Sequence, residues 1–392
     1  MVSHADLVQF IRAQLLARNL VSAEYIPRHC DALAAVCKEM AERFLRGGRL
    51  LAFGVGPYLT DAQHVSVEFV HPVIVGKRAL AALDLSAAPE EWLAAILRPD
   101  DIVMGFGPPE GNARVHGWLD VCRRRGALVC EWPGRLGAHD LPAASSDPFI
   151  HQELTELMYH TLWETVHVFL EQQTIGHDVG ASAFLYPFLG EGEKPPADTL
   201  SEVALSIQHK AADDERLRSL VAAEQSEPLA AAALAIHERL IRGGTILAFG
   251  NGGSATDAND FVLDCVVPPA GIAPLPAVSL SMEPANISAI ANDVGVELVF
   301  MRQMIAGGRP QDIAFGISTS GKSKNVIAAL VEARKRGMLT LALLGSQGGD
   351  ILRDHLADHA FTVPSDYIPR LQEVQAAMYH TLRLALGRLK GD

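Results

Sequence analysis

QDIAFGISTSGKSKNVIAALVEARKRG, residues 311–337, reads as a strand, a turn and a helix in succession. The apolar run from Ile313 to Ile317 has the length and continuity of a buried strand. It breaks into Ser318-Thr319-Ser320-Gly321-Lys322-Ser323, and the following helix carries Val326, Ile327, Leu330 and Val331 on one face. A strand that feeds a helix through small hydroxylic residues makes an anion cradle. The helix N-terminus offers unpaired N–H groups and partial positive charge, and the hydroxyls add further donors. A phosphate-bearing ligand is the expected occupant.

Two families fit this local pattern. Gly316 to Ser323 satisfies G-x-x-x-x-G-K-[ST], the nucleotide phosphate loop. That reading needs a later strand ending in a magnesium-holding aspartate, whereas the next apolar run, Leu339 to Leu344, ends in Gly345-Ser346. The hydroxylic Ser-Thr-Ser is similar instead to the sugar-phosphate isomerase (SIS) domain, in which it binds a sugar phosphate. The rest of the chain favours this second reading.

At 392 residues the chain has the length of two ordinary domains. Its net charge of −13 argues against a nucleic-acid partner, because phosphate backbones reward basic surfaces. It does not argue against an anionic metabolite, which needs only a local cradle. Cys30, Cys37, Cys122, Cys130 and Cys265 form neither a C-x-x-C pair nor a zinc spacing, and an odd number of cysteines suits reduced thiols in the cytoplasm. The first thirty residues have no signal-peptide core, and no stretch is long enough for a membrane span, so a cytoplasmic protein without a membrane partner is expected.

The chain repeats itself. Arg46-Gly47-Gly48 and the strand Leu50 to Phe53, ending at Gly54, return as Arg242-Gly243-Gly244 and Ile246 to Phe249, ending at Gly250. LRPDDIVMGF (97–106) returns as GRPQDIAFGI (308–317), and Met158-Tyr159-His160-Thr161-Leu162 as Met378-Tyr379-His380-Thr381-Leu382. Three matches in the same order, with a slowly growing offset, indicate a duplicated domain. Each copy alternates strands with helices, which predicts an α/β fold of two doubly wound parallel sheets in tandem. The expected division is a first domain at 1–172, a Gly/Pro-rich linker at 173–198 and a second domain at 199–392. Residues 1–45 are expected to be helical, with Leu7, Phe10, Ile11 and Leu15 as one apolar stripe and Leu33, Val36, Met40 and Phe44 as another.

The second copy holds GNGGSATDANDF (250–261), SAIANDVGVE (288–297), GRPQDIAFGISTSGKS (308–323) and PRLQEVQAAMYH (369–380). On these four ordered motifs it resembles the phosphoheptose isomerases, SIS-domain enzymes acting on sedoheptulose 7-phosphate. The resemblance implies that Ser318, Thr319, Ser320 and Ser323 hold the phosphate. It implies a sugar site lined by Asn251, Ser254 and Asp293, with Gly252 and Gly253 letting backbone approach the ligand and Gln372 contributing from the last helix. Lys322 stands where the family more often has an uncharged polar residue. Members isomerise through an enediol with a carboxylate base and an imidazole acid, and some carry zinc on His, Glu, Gln and His. Asp260 and Asp264 occupy the His and Glu positions here, while Gln372 and His380 remain. Asp264 and His380 are thus candidate catalytic groups, although aspartate is a methylene short of glutamate and is expected to sit too far back. Two carboxylates with one imidazole would favour harder metals than zinc.

The first copy is complementary. His64 and Glu68 align with Asp260 and Asp264, and Gln152 and His160 with Gln372 and His380. His64 and Glu68 lie four apart on a predicted helix and so share a face. The resemblance implies one divalent metal per chain, zinc in some members, on His64, Glu68, Gln152 and His160, with Glu68 and His160 also as candidate catalytic groups. His71 and His151 are read as neighbours. The cradle, however, is replaced: Gly107-Pro108-Pro109 stands for Ser318-Thr319-Ser320, which removes N–H and hydroxyl donors. Gly54-Val55-Gly56-Pro57-Tyr58 replaces Gly250 to Ser254, with Pro57 and Tyr58 expected to block the space.

The resulting expectation is a sedoheptulose 7-phosphate isomerase-like enzyme binding a sugar phosphate. Its phosphate grip would come from the second half and its metal or acid/base groups at least partly from the first. A homodimer of the fused pair would form a pseudo-tetramer. The other reading is a non-catalytic, sugar-phosphate-binding regulatory or protein-interaction protein.

Overall fold

The computed structural model describes residues 2–72, 77–135, 137, 139–174 and 196–391. The elements of the first copy follow α1 (His4–Leu45), β1 (Leu50–Gly54), α2 (Leu59–Val70), β2 (Ala82–Asp84), α3 (Pro89–Ile96), β3 (Ile102–Phe106), α4 (Ala113–Arg124), β4 (Leu128–Trp132) and α5 (Pro148–Thr174). The second copy continues with α6 (Pro196–Glu224), α7 (Ser226–Ile241), β5 (Ile246–Phe249), α8 (Gly253–Val266), β6 (Ala277–Ser279), α9 (Pro284–Val294) and α10 (Val299–Gly307). It ends with β7 (Ile313–Ser318), α11 (Lys324–Lys335), β8 (Leu339–Leu344), α12 (Gly349–Arg353), β9 (His359–Thr362) and α13 (Ile368–Lys390).

Both sheets are parallel, in the orders β2-β1-β3-β4 and β6-β5-β7-β8-β9. Two tandem α/β units, as the repeat predicts, are therefore present. Side chains alternate across each strand, so a parallel strand with helices on both sides must be apolar throughout. In the first sheet Leu50, Ala52, Ile102, Met104, Leu128 and Cys130 enter one core, and Leu51, Phe53, Val103 and Val129 enter the opposite one. In the second, Ile313, Phe315 and Ile317 face one core while Ala314 faces the other with Val326 and Leu330 of α11.

The repeated R-P-x-D motif has a physical role in both copies. The buried Asp101 carboxylate accepts from the backbone N–H groups of Arg98 (2.8 Å) and Arg49 (3.1 Å). Asp312 accepts likewise from Arg309 (2.8 Å) and Thr245 (2.9 Å). Each aspartate ties the turn before one central strand to the start of the neighbouring strand.

The compact units do not follow the boundaries expected from the repeat. One comprises Met1–Asn19 with Asp214–Asp392, and the other Leu20–Asp213. Residues 4–45 form one continuous helix, and its Leu7, Ile11 and Leu15 bury in the core of the second sheet with Leu217, Val221 and Leu382. Val203, Ile207 and Ala211 of α6 belong to the first-sheet core. Burial of apolar side chains, each contributing about 2 kcal/mol, decides this membership rather than sequence proximity. Of the expected linker, residues 175–195 lie outside the described residues.

Candidate functional site

The order β6-β5-β7 reverses chain direction of travel at β5, and the crevice outside the carboxyl ends of β5 and β7 is the topological switch point. Both expected loops meet there. Asn251 Nδ2 donates to Asn325 Oδ1 at 2.9 Å, and Asn325 Nδ2 returns a bond to Asn251 Oδ1 at 2.8 Å. Ser318 closes β7, and its buried hydroxyl lies 3.0 Å from that of Ser323 and accepts from the Gly321 N–H at 3.1 Å. Ser320 Oγ accepts from the Lys322 N–H at 3.2 Å. Gly321 has φ +61°, and a Cβ there would stand 2.1 Å from the Gly348 carbonyl oxygen, so the turn requires glycine.

Ser323 occupies the N-cap of α11 yet makes no side-chain capping bond, because its hydroxyl is turned to Ser318. The Val326 N–H of the first turn donates to Asn325 Oδ1 at 3.0 Å, which leaves the N–H groups of Lys324 and Asn325 for an external acceptor. Gly252, at φ +55°, caps α8 without a side chain, Gly253 opens that helix and Ser254 is buried in its first turn. A cavity of about 330 Å³ lies beside the turn, lined by Thr319, Ser320, Lys322, Gln347, Ser365 and Asp366. Ile368 and Leu371 of α13 supply an apolar surface. Asp293 sits exposed at the end of α9, accepting from Asn292 at 2.9 Å.

Lower in the same unit, α8 packs against α13 and brings Asp260, Asp264 and His380 together. His380 Nε2 lies 3.2 Å from Asp260 Oδ2 and 3.0 Å from Asp264 Oδ2, and the Tyr379 hydroxyl donates to Asp260 at 2.8 Å. The close approach of α8 and α13 thus brings the Asp264 carboxylate to the His380 imidazole. Burial first, then the Asp260 charge, pushes the Asp264 carboxyl up to about 7. Gln372 is buried on α13 two turns before His380.

In the other unit α2 supplies His64 and Glu68, and α5 supplies Gln152 and His160. His64, Glu68 and His160 gather with ligand atoms within 4.8 Å of one another, all buried. The two imidazole Nε2 atoms are 3.3 Å apart, and Glu68 Oε1 lies 3.8 Å from His64 Nε2. Glu68 Oε2 is buried without a hydrogen-bond partner among the described residues. Burial, reinforced by the Glu164 charge, pushes the Glu68 carboxyl up to about 8. Two imidazoles with an orphaned buried carboxylate oxygen are a donor set suited to a divalent cation such as zinc. Gln152 lies two turns before His160 on α5, its amide donating to Thr60 Oγ1 (3.2 Å) and Asp61 Oδ2 (3.3 Å). Asp260, Asp264 and His380, two carboxylates and one imidazole with ligand atoms within 4.8 Å of one another, are a second set able to hold a cation.

The first unit's counterpart of the cradle is closed to anions. Its helix α4 is capped by Asn112, whose Oδ1 accepts from the N–H groups of Arg114 (3.0 Å) and Val115 (3.3 Å). His151 Nε2 donates to the Gly107 carbonyl at 3.3 Å, and Nδ1 accepts from the Ala144 N–H at 3.4 Å. Burial holds the His151 pKa down to about 4, so the ring is neutral. Tyr58 is buried, its ring 6.2 Å from that of His151.

Several residues escaped the sequence reading. Asn325 carries the pair with Asn251 but lies outside the hydroxyl run. Glu156 and Glu164 continue the stripe of Gln152 and His160 at four-residue spacing, a readable periodicity. Glu156 Oε1 is 4.0 Å from His64 Nδ1, and Glu164 pairs with the nearly buried Lys210 of α6.

Residues 211–345 match the SIS domain family. The phosphoheptose isomerase of Helicobacter pylori (strain P12) is 42% identical over 180 residues, covering 45% of this chain and 88% of the relative. That of Chlorobaculum parvum (strain DSM 263 / NCIMB 8327) is 43% identical over 171 residues, covering 43% and 81%. The C-terminal domain of glucosamine-fructose-6-phosphate aminotransferase from Francisella tularensis shares the fold, with a TM-score of 0.61 over 96% of each chain at 8% identity. With two SIS-type sheets in tandem and relatives of this similarity, the chain belongs to the phosphoheptose isomerase family of SIS-domain proteins.

Proposed function

We propose that this protein is an aldose–ketose isomerase of phosphosugars, with sedoheptulose 7-phosphate as the substrate. The observation that carries the reading is the hydroxyl run Ser318, Thr319, Ser320 and Ser323 at the start of α11, where Ser323 makes no capping bond of its own and Asn325 ties the helix to Asn251. A phosphate there would accept from the α11 N–H groups and the hydroxyls. Asn251, Gly252, Gly253, Ser254, Asp293 and Gln372 are the proposed contacts for the sugar. The names of the relatives, which are matched over 88% and 81% of their own length, support a phosphosugar isomerase.

The reaction moves a proton between neighbouring carbons. A carboxylate takes the proton from the carbon beside the carbonyl, and an acid delivers one to the carbonyl oxygen, giving an enediol. Reversal onto the adjacent carbon completes the exchange with no net gain or loss of protons. Glu68 with His160, and Asp264 with His380, are the two carboxylate–imidazole pairs proposed for these roles. A raised carboxyl pKa, such as that of Glu68 near 8 or Asp264 near 7, suits a group that exchanges protons near neutrality. His64, Glu68 and His160, with Gln152, would hold a divalent metal, which as a Lewis acid polarises a carbonyl oxygen.

The test is isomerisation of sedoheptulose 7-phosphate by the full chain, with and without added divalent metal. Turnover that falls about a hundredfold in Glu68→Gln while sugar-phosphate binding persists supports the reading. Binding without any turnover would move the protein to the second reading, a phosphosugar-binding regulator, which the Asp260 and Asp264 replacements favour.

A further inference from the structure

Lys322 is the part of the 316–323 motif that the phosphate cradle itself leaves unused. It is exposed, stands in the wall of the 330 Å³ cavity, and follows directly on Thr319 to Gly321. Asp366 lines the same cavity from the segment before α13, its carboxylate accepting from the Ser346 hydroxyl. Gln347 and Ser365 add neutral hydrogen-bonding groups to the same lining. The cavity therefore presents a cation and an anion together with neutral hydroxyl and amide groups.

We infer that Lys322 and Asp366 are specificity-determining residues that orient a singly phosphorylated polyol and reject a doubly phosphorylated one. This rests on the isomerase reading of the cradle. Lys322 adds a full charge to a site otherwise built from neutral donors, which favours the phosphate dianion. Asp366 accepts hydrogen bonds from sugar hydroxyls, which carry donors, but repels a second phosphate, which at neutral pH carries mostly acceptors. A ligand with its phosphate on Lys322 and its hydroxyls on Asp366 satisfies both side chains. One charged at both ends leaves two anions facing each other.

Calorimetric binding to the full-length chain tests this with inorganic phosphate, sedoheptulose 7-phosphate and sedoheptulose 1,7-bisphosphate. Both side chains are exposed, and circular dichroism verifies that the variants fold. The wild type is expected to bind the monophosphate about tenfold more tightly than the bisphosphate, and Asp366→Asn to bring the two within about twofold. Lys322→Gln is expected to weaken inorganic phosphate about fivefold, less so at high salt, with Lys322→Arg restoring it. An unchanged mono-to-bisphosphate ratio in Asp366→Asn, or unchanged phosphate affinity in Lys322→Gln, overturns the assignment. If Ser318→Ala loses binding while these two variants behave as wild type, the isomerase reading stands and this inference alone fails. If the wild type binds none of the three probes, both fall.

Discussion

Asn251 and Asn325 hold each other's amides through two reciprocal hydrogen bonds of 2.9 and 2.8 Å, which join the glycine-rich turn after β5 to the first turn of α11. The pair fixes the width of the switch-point crevice, because neither loop can move away without breaking both bonds. Asn325→Ala is expected to cost about 1–2 kcal/mol of stability. The double variant with Asn251→Ala should then add less than the sum of the singles, with a coupling of about 1 kcal/mol. Denaturant unfolding of the four proteins measures the cycle, and strict additivity would show that the pair carries no mutual energy.

Ser318 acts at the floor of the same crevice. Its hydroxyl shapes the turn through Gly321 and Ser323, so Ser318→Ala removes a donor for phosphate and releases Ser323 to cap α11 itself. The expected result is a loss of about tenfold in sugar-phosphate affinity, from about 1.4 kcal/mol of lost hydrogen bonding. Titration calorimetry reads this directly.

The two carboxylate–imidazole pairs can be told apart by neutral replacements. Glu68→Gln and Asp264→Asn keep shape but remove the base, and the one that serves proton transfer should lower kcat at least about a hundredfold with Kd nearly unchanged. Equal and small effects of both would remove proton abstraction by either residue from the mechanism.

Metal content follows from the buried trio of His64, Glu68 and His160. Elemental analysis of the purified chain should find one divalent ion per chain, lost in His64→Ala and in His160→Ala. Chelation should also lower the unfolding temperature, since a ligand that binds only the folded state stabilises it by mass action. A wild-type protein that takes up no ion when supplied with excess zinc would contradict this.

His151 gives a pH dependence of stability whose sign is fixed. Its folded pKa is near 4, below the unfolded value near 6.5, so the unfolded chain binds more protons between these limits. Stability contributed by the neutral ring is complete above about pH 6.5 and is lost as pH falls toward 4, by about 3 kcal/mol in all. His151→Gln should flatten the stability profile in that window when unfolding is followed in urea at several pH values.

The duplicated α/β architecture was legible because strand and helix periods, the R-P-x-D turns and the M-Y-H-T-L segments are local patterns with local causes. The cradle was legible for the same reason, since Ser318 to Ser323 and α11 are contiguous. The trio of His64, Glu68 and His160 could be assembled only by aligning two copies, and Asn325, Glu156 and Lys210 required the packing itself. Asp264 shows the limit most plainly: its distance of 3.0 Å from His380 is set by the approach of α8 and α13, which no spacing along either helix gives.

Sequence alone therefore determined which elements form, that they form twice, and which loop offers itself to an anion, because these depend on neighbours along the chain. Tertiary structure decided which core receives Leu7, Ile11 and Leu15, that Asn325 of α11 pairs with Asn251 after β5, and which acids meet an imidazole. Those outcomes depend on distances between residues far apart in sequence, set by how side chains pack rather than by their order.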